Sequence, residues 1–188
     1  AGFNILSVEP VVLKDSPLAL MEEDLPRIRE EYDRLAAAYM ERHRAGRGFF
    51  FFHFNMDLSN GPCVAKRLSG CGAGHEYFAV AENGDLYPCH QFVGRKRYKL
   101  GSIYDGVTDE ELPPYFRESH VLNMEKCADC WARFFCSGGC HANADLFHGD
   151  IREPYEVGCE IQKKRLECAL YVQALLALEK EEQVQAVL

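Results

Sequence analysis

Residues 127–140 read CADCWARFFCSGGC, four cysteines spaced C-x2-C-x5-C-x3-C around Trp131, Phe134, Phe135 and the Gly138-Gly139 pair. Three chemistries compete for such a stretch: disulfides, zinc and an iron–sulfur cluster. The chain holds nine cysteines, an odd number, so complete pairing leaves one over. At 188 residues and 47% hydrophobic it is too large to depend on disulfides for a core. Its start, AGFNILSVEP, lacks the pattern of an export signal, so a cytoplasmic location with reduced thiols is expected. Ligand thiolates are then the default reading of the cluster.

Outward from this stretch, the net charge of −8 argues against a nucleic-acid partner, and no apolar run approaches membrane-spanning length. FNILSV, residues 3–8, reads as a short buried strand. Leu25, Ile28, Tyr32, Leu35 and Tyr39 recur at helical steps, predicting an amphipathic helix capped by Asp24 and ending near Gly46 and Gly48. The continuous apolar run FFFFHF, residues 49–54, predicts a strand covered on both faces. Together these make one βαβ unit. Two parallel strands are too few for a domain, so residues 1–60 are expected to be the end of a larger α/β domain. The alternative is a small complete domain whose sheet is extended by later strands or by a partner.

Beyond residue 61, glycine, proline and cysteine punctuate the chain. EYFAVAENGDLYPC, residues 76–89, predicts a hairpin: Tyr77 to Ala81, an Asn83-Gly84 turn, then a strand from Leu86. Residues 127–150 read as loops with short helical turns. Residues 160–182 read as a last helix, with Ile161, Cys168, Val172, Leu175 and Leu176 near one face.

The remaining cysteines extend the motif. Seventeen residues, Gly84 among them, separate Cys71 from Cys89, and eighteen separate Cys140 from Cys159. This arrangement, with GPCVAKRLSGCGAG (61–74), YPCHQFVG (87–94), CSGGCHANA (136–144) and GCEIQKKRLECAL (158–170), resembles the SPASM domain of radical S-adenosylmethionine (SAM) enzymes. The wording is most similar to the maturases of SCIFF peptides, which contain six cysteines. The resemblance covers residues 61 to about 175 strongly, and residues 1–60 are compatible with the end of that family's barrel. It implies an α+β fold: the end of a radical SAM α/β barrel (1–60), then a cysteine-rich SPASM domain (61–188) with a hairpin, short helices and a C-terminal helix.

The resemblance further implies two auxiliary 4Fe-4S clusters. The first would be held by Cys71, Cys89 and Cys140, with Cys63 as a possible fourth ligand. The second would be held by Cys127, Cys130, Cys136 and Cys159. It implies thioether cross-linking of cysteine sulfur to carbon in a ribosomally made, cysteine-rich precursor peptide. S-adenosylmethionine would belong to the full-length enzyme. The C-x3-C-x2-C motif for the SAM-cleaving cluster occurs nowhere in this sequence, so SAM cleavage is assigned to the missing barrel.

Rival readings stand beside these. Two four-cysteine zinc sites would also use about eight thiolates, giving a zinc-stabilised interaction module, although only one C-x2-C knuckle is present. A freestanding electron-transfer protein is the third reading. Cys168 reads as a buried inert thiol. His90 and His141 read as hydrogen-bonded structural histidines, and His53 as a satisfied core or inter-domain histidine. RKRYK, residues 95–99, reads as a solvated surface loop, and Trp131, Phe134 and Phe135 as a wall between a cluster and water.

Overall fold

The structure is a computed structural model that describes residues 2–56 and 63–185. In chain order its elements are β1 (Ile5–Leu6), α1 (Leu25–Arg44), β2 (Phe50–Phe51), α2 (Val64–Arg67), β3 (Ala79–Val80), β4 (Asp85–Tyr87), β5 (Gly101–Ser102), β6 (Gly106–Val107), α3 (Leu112–Glu118), α4 (Glu125–Ala128), α5 (Arg133–Cys136), α6 (His141–His148) and α7 (Glu156–Gln185). Helix and sheet are mixed, and the chain forms two compact units. One is Ala1–Gly61 with Glu156–Leu188; the other is Pro62–Tyr155. The expected boundary at residues 60 and 61 lies outside the described residues.

In the first unit β1 and β2 pair in parallel, Ile5 with Phe50 and Leu6 with Phe51, and α1 connects them. Helix α1 buries Leu25, Tyr32, Ala36 and Met40, one stripe at steps of seven, four and four, and packs against α7. From α7 come Ile161, Ala169 and Val172. Arg165 is buried with them. Its guanidinium donates to the Tyr32 hydroxyl (2.9 Å) and the Val8 carbonyl (2.7 Å). A buried cation needs such partners, because an unpaired one would cost several kcal/mol, on the order of the loss of a whole core side chain.

Three expectations change here. Asp24 stands at the N-terminus of α1 but does not cap it; its carboxylate accepts from the Met21 N–H at 2.9 Å, closing the preceding turn. FNILSV shrinks to a two-residue strand, paired on one edge with β2, that is exposed and not buried. The phenylalanine run is not covered on both faces either. Phe51 and Phe54 are buried with rings 4.8 Å apart, whereas Phe50 and Phe52 are exposed. The chain leaves the extended form after Phe51 and turns through residues 52–54, where the Phe54 carbonyl accepts from Gln173 of α7.

In the second unit β3, β4, β5 and β6 form an antiparallel meander in that order. At the first turn Gly84 takes φ +85°, and the Asn83 side chain accepts from the Asp85 N–H at 3.1 Å. Phe92, Tyr98 and Phe116 make the core beside this sheet, with ring centroids 4.5–6.0 Å apart. A second small core joins Val121, Met124 and Cys127 to Leu68 and Phe134. Among the described residues no helix is long and apolar enough to cross a membrane.

Candidate metal centre

Two groups of cysteines form within the second unit. Cys71, Cys89 and Cys140 are drawn together from three separate segments. Cys89 follows β4 and Pro88 in fully extended backbone and is buried. The loop after Cys71 folds back onto the same strand end. There the Gly74 N–H lies 3.2 Å from both the Tyr77 and the Pro88 carbonyls, and Ala73 bridges Tyr77. Gly74 has φ +81°, and a Cβ there would stand 2.8 Å from the Phe116 ring, so this fold-back requires glycine. Cys140 sits at the head of α6, its carbonyl accepting from Asn143 and Ala144.

The segment after Cys89 and the helix after Cys140 are fastened to each other. Asp145 of α6 accepts from the Tyr98 hydroxyl and from Arg95, both at 2.6 Å. Arg97 donates to the carbonyl of Gly149, the left-handed residue that ends α6. Burial and the Asp145 carboxylate push the Tyr98 hydroxyl well above the usual phenol range, so it stays a donor. The expected solvated loop at residues 95–99 is corrected in part: Lys96, Arg97 and Lys99 are exposed, but Tyr98 is buried, and Arg95, Arg97 and Lys99 all pair with named groups.

Tyr77 lies among the first three thiols. Burial, the Cys71 sulfur to which its hydroxyl donates, and the more distant Cys89 and Cys140 push it up to about 12. Burial pushes the Cys89 thiol up, opposed by the nearby backbone N–H groups of Gln91 and Phe92. The Gln91 side chain donates to Cys140 Sγ at 3.8 Å.

The second group, Cys127, Cys130 and Cys136, comes from one continuous winding. The Cys130 N–H donates to the Cys127 carbonyl, Arg133 to Cys130, and Cys136 to Ala132. Arg133 also donates through its side chain to the Ala128 carbonyl at 2.6 Å. Burial, with Cys136 and Cys130 beside it, pushes the Cys127 thiol up to about 11. Between Cys136 and Cys140, Ser137, Gly138 and Gly139 have φ of +62°, +91° and +77°. The glycines answer to this left-handed run rather than to crowding, for a Cβ on Gly139 would meet nothing within 4 Å.

Other predicted residues are placed as follows. Cys63 is exposed and precedes α2. Cys159 lies near the start of α7, in the first unit, and is partly buried. Cys168 is buried, and burial pushes its thiol up to about 11. His141 is buried and donates from Nε2 to the Ser119 carbonyl at 3.0 Å, while burial holds its pKa down. His53 accepts at Nε2 from the Val8 N–H (3.4 Å) inside the first unit. His90 is exposed. Trp131 is 56% exposed, so it does not wall off water within its own unit.

The donor arrangement distinguishes two kinds of metal group. Tetrahedral zinc, with Zn–S near 2.3 Å, draws its sulfurs to within about 4 Å of one another. Among the described residues no three His, Cys, Asp or Glu side chains stand close enough to share a single ion. The cysteines of each group nonetheless act on one another electrostatically. A group of several metal atoms would instead take one thiolate per metal, which clustered cysteines of this kind could supply.

Comparison with known proteins adds the fold. No protein-family model matches the chain. A protein of Archaeoglobus fulgidus described only as uncharacterized is 32% identical over 101 residues, covering 52% of this chain and 24% of its own length. Among solved structures, native anSMEcpe with bound AdoMet superposes with TM-score 0.59 at 20% identity, over 92% of this chain and 48% of that one. The same protein with bound AdoMet and Kp18Cys peptide gives TM-score 0.55 at 19% identity, again over 92% and 48%. The chain spans about a quarter of the curated relative and about half of the solved structures. Part of the anSMEcpe fold is the fold of this chain.

Proposed function

We propose that this chain is the auxiliary-cluster portion of a radical SAM enzyme that matures a ribosomally made peptide. The observation that carries this reading is the gathering of Cys71, Cys89 and Cys140 into one group and Cys127, Cys130 and Cys136 into another, on a fold shared with an AdoMet-binding maturase. In this reading each group holds one 4Fe-4S cluster, with Cys63 offered to the first. When bound, such a cluster supplies one-electron redox chemistry with little movement of its ligands.

The protein residues do the positioning. Asp145 keeps the Cys140 helix against the segment that follows Cys89, and the left-handed turn at 137–139 passes the chain from one group to the other. The first group, where Cys71 and Cys140 are exposed, is the side offered to substrate. The substrate class is a cysteine-rich precursor peptide, and the product a thioether between a cysteine sulfur and a carbon of that peptide. SAM binding and cleavage belong to the barrel region. Support for a peptide substrate comes from the anSMEcpe structure that holds one.

The test is iron, acid-labile sulfide and zinc per chain after anaerobic purification. About eight iron and eight sulfide are expected for two clusters. Zinc near stoichiometry without sulfide would overturn the reading in favour of a structural module. The thioether claim is checked separately, by mass spectrometry of a six-cysteine peptide treated with the full-length enzyme and SAM. Loss of two hydrogens per cross-link is expected, and an unchanged peptide mass would sink it.

A further inference from the structure

We propose that the open edge of β3 docks an extended stretch of the precursor peptide, one with apolar residues at alternate positions between basic ends. The inference rests on the peptide substrate proposed above and says where that peptide lies.

Strand β3 pairs with β4 on one side only. The Ala81 N–H donates to the Asp85 carbonyl at 2.9 Å, and Ala79 stands opposite Tyr87. Antiparallel ladder bonds fall on alternate residues, so Phe78 and Val80 turn their N–H and carbonyl groups to the other edge. Leu86, opposite Val80, agrees with this, because its carbonyl accepts from Leu100, just before β5, at 2.8 Å. Among the described residues no hydrogen bond is made to the groups that Phe78 and Val80 turn outward. The side chains along this edge are apolar and open: Phe78 is 40% exposed and Val80 59%. Ile103, whose N–H donates to the Gly84 carbonyl in the same hairpin turn, is 55% exposed. An unpaired edge with exposed apolar side chains is the form to which an extended peptide adds as a further strand.

Charge selects the occupant. Glu76 and Glu82 stand exposed in the turns at the two ends of this edge. Among the described residues neither pairs with a cation, whereas Asp85 nearby takes Lys99 at 2.6 Å. A second copy pairing edge to edge about Ala79 would bring the Glu76 end of one chain against the Glu82 end of the other, like charge on like charge. A peptide with lysine or arginine at each end of its strand meets the opposite sign. Tyr77, at the head of the edge, is bridged to Ala73, two residues past Cys71, and the Gly74 N–H lies 3.2 Å from the Pro88 carbonyl, next to Cys89. A peptide on this edge therefore runs up to the first cysteine group.

The experiment titrates the 188-residue chain into a short fluorescein-labelled peptide, valine alternating with threonine between terminal lysines, and follows fluorescence anisotropy. Saturable binding that weakens as salt rises is expected. Glutamates in place of the lysines should weaken it about tenfold. N-methylation of alternate peptide residues should do the same in one of its two phases and not in the other, since only one set of N–H groups faces β3, and this change leaves the protein untouched. Glu76→Gln and Glu82→Gln should each weaken binding about threefold, and Glu181→Gln on α7 should leave it unchanged. Equal affinity for the glutamate-ended peptide, indifference to both methylation phases, or no binding overturns the proposal. Self-association of the chain that the peptide reverses, seen by sedimentation, assigns the edge to a second copy and also overturns it. Iron and sulfide are measured on the same sample, so absence of sulfide after anaerobic reconstitution defeats the cluster reading separately from any result with peptide.

Discussion

The two cysteine groups of the second unit are built in opposite ways. Cys127, Cys130 and Cys136 lie within ten residues, on one winding whose own backbone hydrogen bonds turn the thiols toward each other. Cys71, Cys89 and Cys140 span seventy residues and meet only because a fold-back loop, a strand end and a helix head converge. Each group contains one buried thiol, Cys127 and Cys89, but the dispersed one exposes its other two, Cys71 and Cys140, whereas Cys130 and Cys136 are half-buried. A local site depends on turns that cost little to close. A dispersed site depends on tertiary packing, and needs fastenings that carry no metal ligand themselves.

The sharpest way to break this contrast is to remove one ligand from each group. Cys136→Ala should lose about half of the iron and sulfide, the share of one cluster, and leave the first group loaded. Cys140→Ala should do the converse. If either variant empties both groups, they are one cooperative site and the contrast fails. Metal analysis with electron paramagnetic resonance distinguishes these results.

A smaller effect is expected from Asp145→Asn. It replaces a charged acceptor that serves Tyr98 and Arg95 at 2.6 Å each, and should cost about 2 kcal/mol of unfolding free energy in the metal-free chain. On loading, iron should fall from the dispersed group alone. Equal loss from the local group would show that Asp145 supports the whole unit rather than the junction between Cys89 and Cys140.

The smallest effect concerns a thiol that belongs to neither group. Burial holds the Cys168 thiol at about 11 against an ordinary value of 9.0. A raised folded-state pKa means the folded chain keeps its proton longer than the unfolded one. Stability is therefore unaffected below pH 9 and falls as pH rises from 9 toward 11. Chemical denaturation of the metal-free chain across this range should show the decline, and Cys168→Ala should flatten part of it. An unchanged slope in that variant would mean burial alone does not raise a thiol here, and would weaken the same explanation for Cys127.

How far residue patterns carried the reading varies by element. Helix α1 was legible because a stripe of apolar residues at helical steps has one inexpensive solution, burying that stripe. The Asn83-Gly84 turn was legible because positive φ is cheap only for such residues. The phenylalanine run misled, since an unbroken apolar string looks the same whether both faces are covered or, as here, alternate rings point outward. RKRYK misled for a related reason. Five polar and aromatic residues read as a solvated loop until Asp145, fifty residues from Arg95, supplies the partner that turns it into a clasp.

Cysteine identities and spacings were written in the chain, because a thiolate ligand has no substitute and the turns between close ligands tolerate few lengths. The grouping of Cys127, Cys130 and Cys136 was an implication of the family resemblance, and in the structure one winding carries all three. Tyr77, Gln91 and Asp145 carried no such mark. A tyrosine, a glutamine or an aspartate is common anywhere, and its meaning comes from what long-range packing sets against it. Folding decided which sulfurs receive donors and which lie buried, because hydrogen bonding and desolvation depend on distance in space and not on separation along the chain.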